Sequence, residues 1–459
     1  MTTLETTIHP VPRWDFIPNA DGYLLYSDQG QAMVPVDDAG RAAIEALQPG
    51  ARLIDWVEAA AGGGDAHAAL RQIHPLLDPL TRAGLIGLDA PPEPVDWASK
   101  VVHTESGGSR TCYLSLTDNC NLKCSYCYNE DERAEALACG KRMLRDDEIK
   151  GLLDRLAAAG FQYVIFTGGE PMLRKSIFSL AEHARGLGLG VNLLTNGTAF
   201  TKRNAGRVAE LFETITVSLD SAVLEDHDIT RGKGSWARIV KGLDLLVKAG
   251  ARALSLRPVV TVHNMDRLHL LPDFANGRWG VTSFKPSLYL PNSAEELDEL
   301  ALLPEAEAYQ ASVARFNAVL ERIPGALAED PLRAVSYGGK CGMADSIFSV
   351  SASGDVYPCQ SLHFDPLWMG NVRTHGVEEL FANGKRLGIV GACGLDVPEC
   401  QGCPYQMVCG GGCRASAYKM RGDMAAHNTV MCRHLRIGAQ SQLRRYAEYK
   451  RKQHVAEPA

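Results

Sequence analysis

The chain from about residue 110 to residue 320 alternates short apolar segments with longer amphipathic ones. The short segments have the length and the β-branched content of buried strands, and the longer ones repeat their apolar positions with a helical period. Such alternation predicts an α/β fold in which parallel strands form a barrel that helices cover. The predicted strands are 163–167, 191–195, 214–220, 253–262 and 281–284, and the predicted helices are 145–158, 177–187 and 236–249.

Polar residues stand where three of these strands end. In parallel barrels, ligands bind at the carboxyl ends of the strands, so these residues are candidates for a binding site. Each is weak evidence alone, because Gly-Gly and Asn-Gly pairs are ordinary turn residues and serine or aspartate often caps a loop. The candidates are Gly168, Gly169, Glu170, Asn196, Ser218 and Asp220.

The residues before about 95 form a separate unit that contains no cysteine. Two strand-like segments precede three segments of helical composition, and a proline-rich run then predicts a stiff linker. These segments are 22–26 and 31–36, then 39–46, 53–61 and 67–83, then 90–95.

The composition is that of an ordinary globular protein, with 459 residues of which 46% are hydrophobic and 22% charged. This length predicts about two to four domains. The formal charge of −7 gives no reason to expect nucleic acid or a membrane as a partner. No apolar run is long enough to span a bilayer, and the first residues lack the plan of a signal peptide. A cytoplasmic location is therefore expected, where thirteen cysteines indicate metal binding rather than disulfides.

Three cysteines at x3 and x2 spacing, Cys120, Cys124 and Cys127, are the centre of the candidate chemistry. They follow the apolar alternating segment 112–117 and therefore fall on the loop that leaves a strand. Three thiolates so close together can hold three irons of a 4Fe–4S cluster and leave the fourth iron open to a small molecule. A structural zinc site is the alternative, but it usually takes four ligands, and the next cysteine is Cys139.

This motif, with the aromatic Tyr126 before its last cysteine, resembles the signature of the radical SAM superfamily. The resemblance implies a partial (β/α)6 TIM-like barrel in which S-adenosylmethionine (SAM) chelates the open iron. It also implies that the reduced cluster cleaves SAM to a 5′-deoxyadenosyl radical, which abstracts hydrogen from the substrate. The cofactor then carries the difficult step, and the protein binds and orients.

The same resemblance implies roles for the strand-end residues. The Gly168-Gly169-Glu170 run would line the site of the SAM amino group. Asn196, Ser218 and Asp220 would lie near the ribose or the carboxylate. Arg231 would pair with the carboxylate, a role suited to a guanidinium.

Eight of the thirteen cysteines lie between residues 335 and 435. A single zinc site needs four ligands, so this number calls for two metal centres. Their spacing resembles the SPASM extension of radical SAM peptide-modifying enzymes, which carries two auxiliary iron–sulfur clusters. By that resemblance, Cys341, Cys359 and Cys413 hold the first cluster, and Cys400, Cys403, Cys409 and Cys432 hold the second.

The first auxiliary site lacks one cysteine of the family's set, a few residues before Cys341. That cluster is then expected to keep an open iron, or to be completed by Cys393 or by the substrate. Cys112 and Cys139 are expected to be free thiols, since buried cysteine often acts as a small apolar residue. His227 matches no position of the family and is expected to be a surface or structural residue.

The first unit is similar, in its order of elements, to the winged-helix peptide-recognition module of ribosomal-peptide maturation systems. There a leader peptide adds a strand to the edge of the sheet. A DNA-binding winged helix and a plain packing domain are the alternatives. The predicted domains are 1–95 (peptide recognition), 105–320 (barrel) and 335–440 (SPASM), with a tail at 441–459.

Together these resemblances predict a maturase that crosslinks a ribosomally made precursor peptide through a C–C, C–S or C–O bond. Its electron donor would be a low-potential protein such as ferredoxin or flavodoxin. The alternatives are a maturase of a folded protein, of the sulfatase or quinoprotein type, and a non-catalytic iron–sulfur electron carrier. In sulfatase maturases an aspartate follows the cysteine that matches Cys359. Here Gln360 stands there, and it cannot accept a proton as a carboxylate does.

Overall fold

The computed structural model describes residues 2–19, 22–30, 33–93, 110–127, 140–251, 253–291, 293, 302–327, 341–388 and 397–456. Cys139, Cys393 and part of the predicted linker lie outside these ranges. No helix that the structure describes is both long enough and apolar enough to cross a bilayer.

The N-terminal unit consists of a three-stranded antiparallel sheet, three helices and a small two-stranded sheet. Its elements are β1 (Ile8–Pro10), β2 (Asp15–Asn19), β3 (Gly22–Tyr26), β4 (Val34–Val36), α1 (Asp38–Glu45), α2 (Leu53–Ala61), α3 (Ala66–Arg82) and β5 (Ile86–Leu88). Strand β3 is central, and alternate side chains point to opposite faces of it. Tyr23 and Leu25 pack toward the helices, whereas Leu24 and Tyr26 pack against the C-terminal unit. The sheet is therefore covered on both faces.

The middle of the chain alternates strands and helices as predicted. Its elements are β6 (Thr111–Ser115), α4 (Asp146–Ala158), β7 (Tyr163–Thr167), α5 (Ile177–Gly186), β8 (Gly190–Thr195), α6 (Ala205–Leu211), β9 (Thr214–Val217), α7 (Leu224–Arg231), α8 (Ser235–Lys248), β10 (Leu254–Leu256), β11 (Val259–Val260), α9 (Leu270–Trp279), β12 (Ser283–Phe284), β13 (Ser287–Leu288) and α10 (Ala306–Leu320). Six parallel strands stand in the order β12-β10-β9-β8-β7-β6. This arrangement confirms the predicted α/β partial barrel.

Helix α4 illustrates why the sequence folds in this way. Its first turn carries the acidic run 146–148, where the helix dipole favours negative charge. Glu148 also accepts the backbone N–H of Arg145 at 2.7 Å, which caps the start of the helix. Its apolar residues recur at i, i+3, i+4 and i+7 on one face and are buried in the barrel core. They are Ile149, Leu152, Leu153 and Leu156.

The C-terminal unit continues the sheet of the barrel. Its elements are β14 (Ile347–Val350), β15 (Asp355–Tyr357), β16 (Gly370–Asn371), α11 (Val377–Arg386), α12 (Gln406–Cys409), α13 (Arg414–Arg421) and α14 (Thr429–Ala456). Strand β14 pairs in parallel with β6, so the strands of the barrel and of the C-terminal unit join in one sheet of nine strands. Apolar residues of the barrel and of the C-terminal unit also share one buried cluster. The two units are therefore joined through a continuous core.

Prolines lie within or beside three strands or strand breaks that differ from the prediction. The predicted strand 253–262 is two strands, β10 and β11, because Pro258 lies between them and has no N–H to continue the ladder. After this break, β11 pairs with β13 instead. Strands β1 and β2, which contain Pro10 and Pro18, were not predicted, whereas β4 was predicted although it contains Pro35.

Candidate active site

A cavity of about 270 Å³ lies at the carboxyl ends of the barrel strands. Barrel residues form most of its wall, and Gln360, Ser361 and Lys419 bring the C-terminal unit to it. The structure thus brings together residues that are far apart in the sequence. The predicted site residues that line the cavity are Cys120, Cys124, Tyr126, Cys127, Gly168, Gly169, Asn196, Ser218 and Arg231.

The three thiols of the CxxxCxxC motif lie on the loop after β6. This loop is held by the N–H of Ser125, which donates to the carbonyl of Thr230 at 2.9 Å. The amide of Asn196 also donates to the sulfur of Cys120 at 3.8 Å. Burial raises the pKa of the Cys124 thiol to about 11, so this thiol needs a metal to ionise at neutral pH.

The donor set fits an iron–sulfur cluster. Within the described ranges, no group of three or more Cys, His, Asp and Glu side chains is placed so that it could hold a single metal ion. Three thiols around one shared cavity are instead the ligands that a three-cysteine 4Fe–4S site requires.

The two glycines after β7 lie directly against the cysteine loop. A Cβ on Gly168 would stand 2.4 Å from the carbonyl oxygen of Thr117, and one on Gly169 would stand 2.3 Å from that of Asn119. The N–H of Gly169 donates to the Thr117 carbonyl at 2.8 Å. Bare glycine backbone is therefore required here for the strand end and the loop to approach each other.

We expect Gly169→Ala to weaken the binding of SAM, the ligand that the sequence resemblance implies for this cavity, about tenfold or more, since overpacking a close contact costs about 1 to 3 kcal/mol. The added methyl would push the Asn119 carbonyl, and with it the loop that carries the thiols. The measurement is the dissociation constant for SAM of the reconstituted enzyme. Gly186→Ala is the matched control, because Gly186 ends helix α5 with nothing within 4 Å of its Cβ position. Equal affinity in both variants would contradict the steric argument.

Glu170 lies behind the cavity wall and does not line it. It is fully buried, and its carboxylate accepts hydrogen bonds from Thr195 Oγ1 at 2.7 Å and from the N–H of Asn196 at 2.8 Å. The N–H of Met172 donates to it at 3.1 Å. Burial raises the pKa of Glu170 to about 7 against the effect of these donors. The side chain thus fixes the end of β8, where Asn196 faces the cavity.

Asp220 also lies behind the wall and binds two residues that line it. Its carboxylate accepts Arg231 Nε at 2.7 Å and Nη2 at 3.0 Å, and it accepts the phenol of Tyr126. The N–H of Val259 donates to the same carboxylate at 3.0 Å. Burial alone would raise the pKa of Asp220, but the Arg231 guanidinium and the hydrogen bonds hold it below its usual value. Asp220 therefore orients the arginine and the tyrosine of the cavity.

His227 supports this arrangement from the interior, as expected of a structural residue. It is fully buried, and its Nδ1 accepts the N–H of Asp220 at 3.1 Å. Burial lowers the pKa of His227 to about 4, so the imidazole is neutral at physiological pH.

The predicted auxiliary ligands form two groups of neighbouring thiols. Within the first group, burial raises the pKa of the Cys359 thiol to about 12, and the other two thiols add to the increase. Within the second group, burial raises the pKa of Cys409 to about 11, and the other three thiols add to it. The groups are Cys341, Cys359 and Cys413, and Cys400, Cys403, Cys409 and Cys432. Cys112 lies apart from both, fully buried in β6.

The cavity residues that the sequence analysis missed include three polar ones at the later barrel strands. Arg257 directly follows β10, and Ser287 and Tyr289 lie at and just beyond β13. The strand-end rule could have found Arg257, but the predicted strand ran through it to residue 262. Its Nε donates to the hydroxyl of Ser287 at 3.2 Å.

The fold and the site together define a class, an α/β-barrel enzyme with thiol clusters at its strand ends. Residues 114–275 match the family model of the radical SAM superfamily, and residues 341–404 match that of the iron–sulfur cluster-binding SPASM domain. The chain therefore contains a radical SAM domain and, after it, a SPASM domain. Its cofactors are therefore SAM, a 4Fe–4S cluster and auxiliary iron–sulfur clusters.

Three curated relatives are each similar to between 66% and 72% of this chain. The PqqA peptide cyclase of Xanthomonas campestris pv. campestris is 28% identical over 324 residues, 69% of this chain and 85% of the relative. The mycofactocin maturase MftC of Mycolicibacterium smegmatis is 29% identical over 327 residues, 66% and 77% of the two chains. The AdoMet-dependent heme synthase of Oleidesulfovibrio alaskensis is 28% identical over 362 residues, 72% and 90%.

Two solved structures share the fold. The enzyme anSMEcpe with bound AdoMet has a TM-score of 0.61 at 20% identity and covers 75% of this chain and 99% of its own. Streptococcus suis SuiB bound to its precursor peptide SuiA has a TM-score of 0.52 at 13% identity. That match covers 93% of this chain and 99% of SuiB.

Proposed function

We propose that this enzyme is a maturase that abstracts hydrogen from a ribosomally made precursor peptide and installs an intramolecular C–C, C–S or C–O crosslink. The observation that carries the proposal is a cavity that is lined both by the thiol triad of the barrel and by Gln360, Ser361 and Lys419 of the C-terminal unit. A peptide segment in this cavity would lie beside the SAM site and close to the auxiliary thiols. The similarity to a peptide cyclase and to a mycofactocin maturase supports a peptide substrate.

In this proposal the SAM-site cluster is held by Cys120, Cys124 and Cys127. When bound, SAM and the cluster supply the 5′-deoxyadenosyl radical. The glycine backbone of 168–169 gives close approach to the ligand, and the strand-end side chains orient it. Those side chains are Asn196, Ser218 and Arg231, with Tyr126 beside them.

Glu170 and Asp220 act behind these groups and position them. Glu170 holds the backbone of Asn196, and Asp220 holds Arg231 by its Nε and Nη2. Because Asp220 takes Nε and Nη2 of Arg231, which lines the cavity, Nη1 is the donor proposed for the SAM carboxylate.

The C-terminal thiols are proposed to hold two auxiliary clusters. Cys341, Cys359 and Cys413 would hold the first, with its fourth position open or completed by Cys393 or the substrate. The four-cysteine group would hold the second. These clusters accept the electron that remains after the crosslink forms. A low-potential protein such as ferredoxin or flavodoxin donates the electron that reduces the cluster at the SAM site.

The N-terminal unit is proposed to bind the leader of the precursor peptide. Its sheet has two outer strands, and each contains a proline without an N–H group, Pro18 in β2 and Pro35 in β4. A docked peptide strand would therefore form hydrogen bonds with the outward-facing carbonyls and with the N–H groups of the other residues, because a proline in an edge strand has no N–H to donate.

The test co-expresses the enzyme, under anaerobic and iron-replete conditions, with the short open reading frame nearest its gene. High-resolution mass spectrometry of the recovered peptide is expected to show the loss of two hydrogens per crosslink. The same peptide without its N-terminal half is expected to remain unmodified, since the leader docks the substrate. If the full peptide stays unmodified while the enzyme forms 5′-deoxyadenosine, the substrate is a folded protein instead.

A further inference from the structure

Arg414 is a fully buried cation that no carboxylate of the described residues neutralises. Only 1% of its surface is exposed. Its guanidinium donates to four backbone carbonyls, and it forms no ion pair with any acidic side chain in the described ranges. A guanidinium keeps its proton in proteins, and a buried charge without a counter-charge is costly. The carbonyls are those of Gly411, Gly412, Met424 and Ala426.

Arg414 directly follows Cys413 and is bonded to the loop that supplies one ligand to each group of auxiliary thiols. Two of its carbonyl partners lie in the CxxxC loop, which gives Cys409 to one group and Cys413 to the other. One buried cation is thus held against the segment that links the two groups.

We propose that Arg414 is the shared counter-charge of the two auxiliary clusters and the residue that positions the loop between them. The inference rests on the proposed assignment of the cluster ligands. Clusters ligated by thiolates are anionic, so they supply the negative charge that the protein does not place beside this guanidinium. A nearby cation favours the reduced form of a cluster, because reduction adds negative charge. Arg414 therefore raises the reduction potentials of both clusters.

The test measures potentials rather than turnover. The full-length chain with Cys120, Cys124 and Cys127 replaced by alanine keeps only the auxiliary clusters. In this background, Arg414→Met removes the charge and Arg414→Lys keeps it. Arg421→Met is the control, since it removes an exposed cation from the end of the same helix. Each reconstituted variant is assayed for iron and titrated by EPR at controlled potential.

Arg414→Met is expected to shift both auxiliary potentials to more negative values. The shift should reach about 59 mV, a tenfold change in the ratio of reduced to oxidised cluster for a one-electron couple. In Arg414→Lys and Arg421→Met, both auxiliary potentials should stay near those of the parent. Loss of auxiliary iron in the methionine variant alone would also support the charge requirement. Unchanged potentials, a shift of one cluster only, or equal effects of Met and Lys would overturn the proposal. If the parent itself holds no auxiliary iron, the ligand assignment fails, and the inference fails with it.

Discussion

Replacing Cys124 with serine is expected to abolish the reductive cleavage of SAM. Cys124 is the middle thiol of the triad and lies in the cavity wall beside Arg231 and Tyr126. Loss of residues outside the ligand shell of a metal already costs about 10- to 100-fold in affinity or activity, so loss of a direct ligand is expected to exceed about 100-fold. The measurement is 5′-deoxyadenosine formed under dithionite, together with the iron content per chain.

Cys112→Ala is the matched control for this variant. Cys112 is fully buried in β6, eight residues before the first cysteine of the triad, and it does not line the cavity. Its loss is expected to lower stability slightly, as small core truncations do, and to leave iron content and SAM cleavage unchanged. Retained cleavage in the serine variant, or equal loss in both variants, would refute the assignment of the triad as the cluster site.

The barrel could be predicted from the sequence because its signals are local. The apolar strands and amphipathic helices follow the periods that their geometry imposes, and polar residues at strand ends follow from the topology. For the same reason Asn196 and Ser218 were found, and both line the cavity. Where a proline broke the pattern, as at Pro258, the strand boundary and the cavity residue Arg257 were missed together.

The sequence could not predict which strand-end residues line the cavity and which only position others, because this depends on side-chain direction. Glu170 and Asp220 follow strands just as Asn196 and Ser218 do, yet neither carboxylate lines the cavity. Each is buried where backbone N–H groups or the Arg231 guanidinium satisfy it. A buried carboxylate needs such partners, and those partners come from residues distant in sequence. The pairing of β14 with β6 is non-local in the same way.

Replacing Asp220 with asparagine is expected to lower the free energy of unfolding by about 3 to 5 kcal/mol, the usual effect of breaking a buried ion pair. Arg231 is only 6% exposed, so its guanidinium would lose its counter-charge where water cannot replace it. The variant should also bind SAM more weakly, because Arg231 and Tyr126 both lose their orientation. Thermal unfolding followed by circular dichroism and SAM titration of the reconstituted enzyme measure the two effects.

The protein carries an exposed counterpart of this pair that serves as the control. Asp244 accepts the Arg278 guanidinium at 2.8 and 2.7 Å and the indole N–H of Trp279 at 2.8 Å. Like Asp220, Asp244 therefore binds one guanidinium and one aromatic side-chain donor. The side chain of Asp244 is 42% exposed, however, and that of Arg278 is 45% exposed. Asp244→Asn is expected to cost less than about 1 kcal/mol, because water screens an exposed pair. Similar losses in both variants would contradict a special role for burial at Asp220.

A double variant, Asp220→Asn with Arg231→Met, separates the stability of the pair from its function. Removing both charges leaves no uncompensated guanidinium, so most of the lost stability should return. SAM cleavage should stay low, since the group proposed to bind the SAM carboxylate is gone. Recovery of both properties would mean that the pair only holds the fold together. Recovery of stability alone would mean that the pair serves SAM cleavage in addition to the stability of the fold.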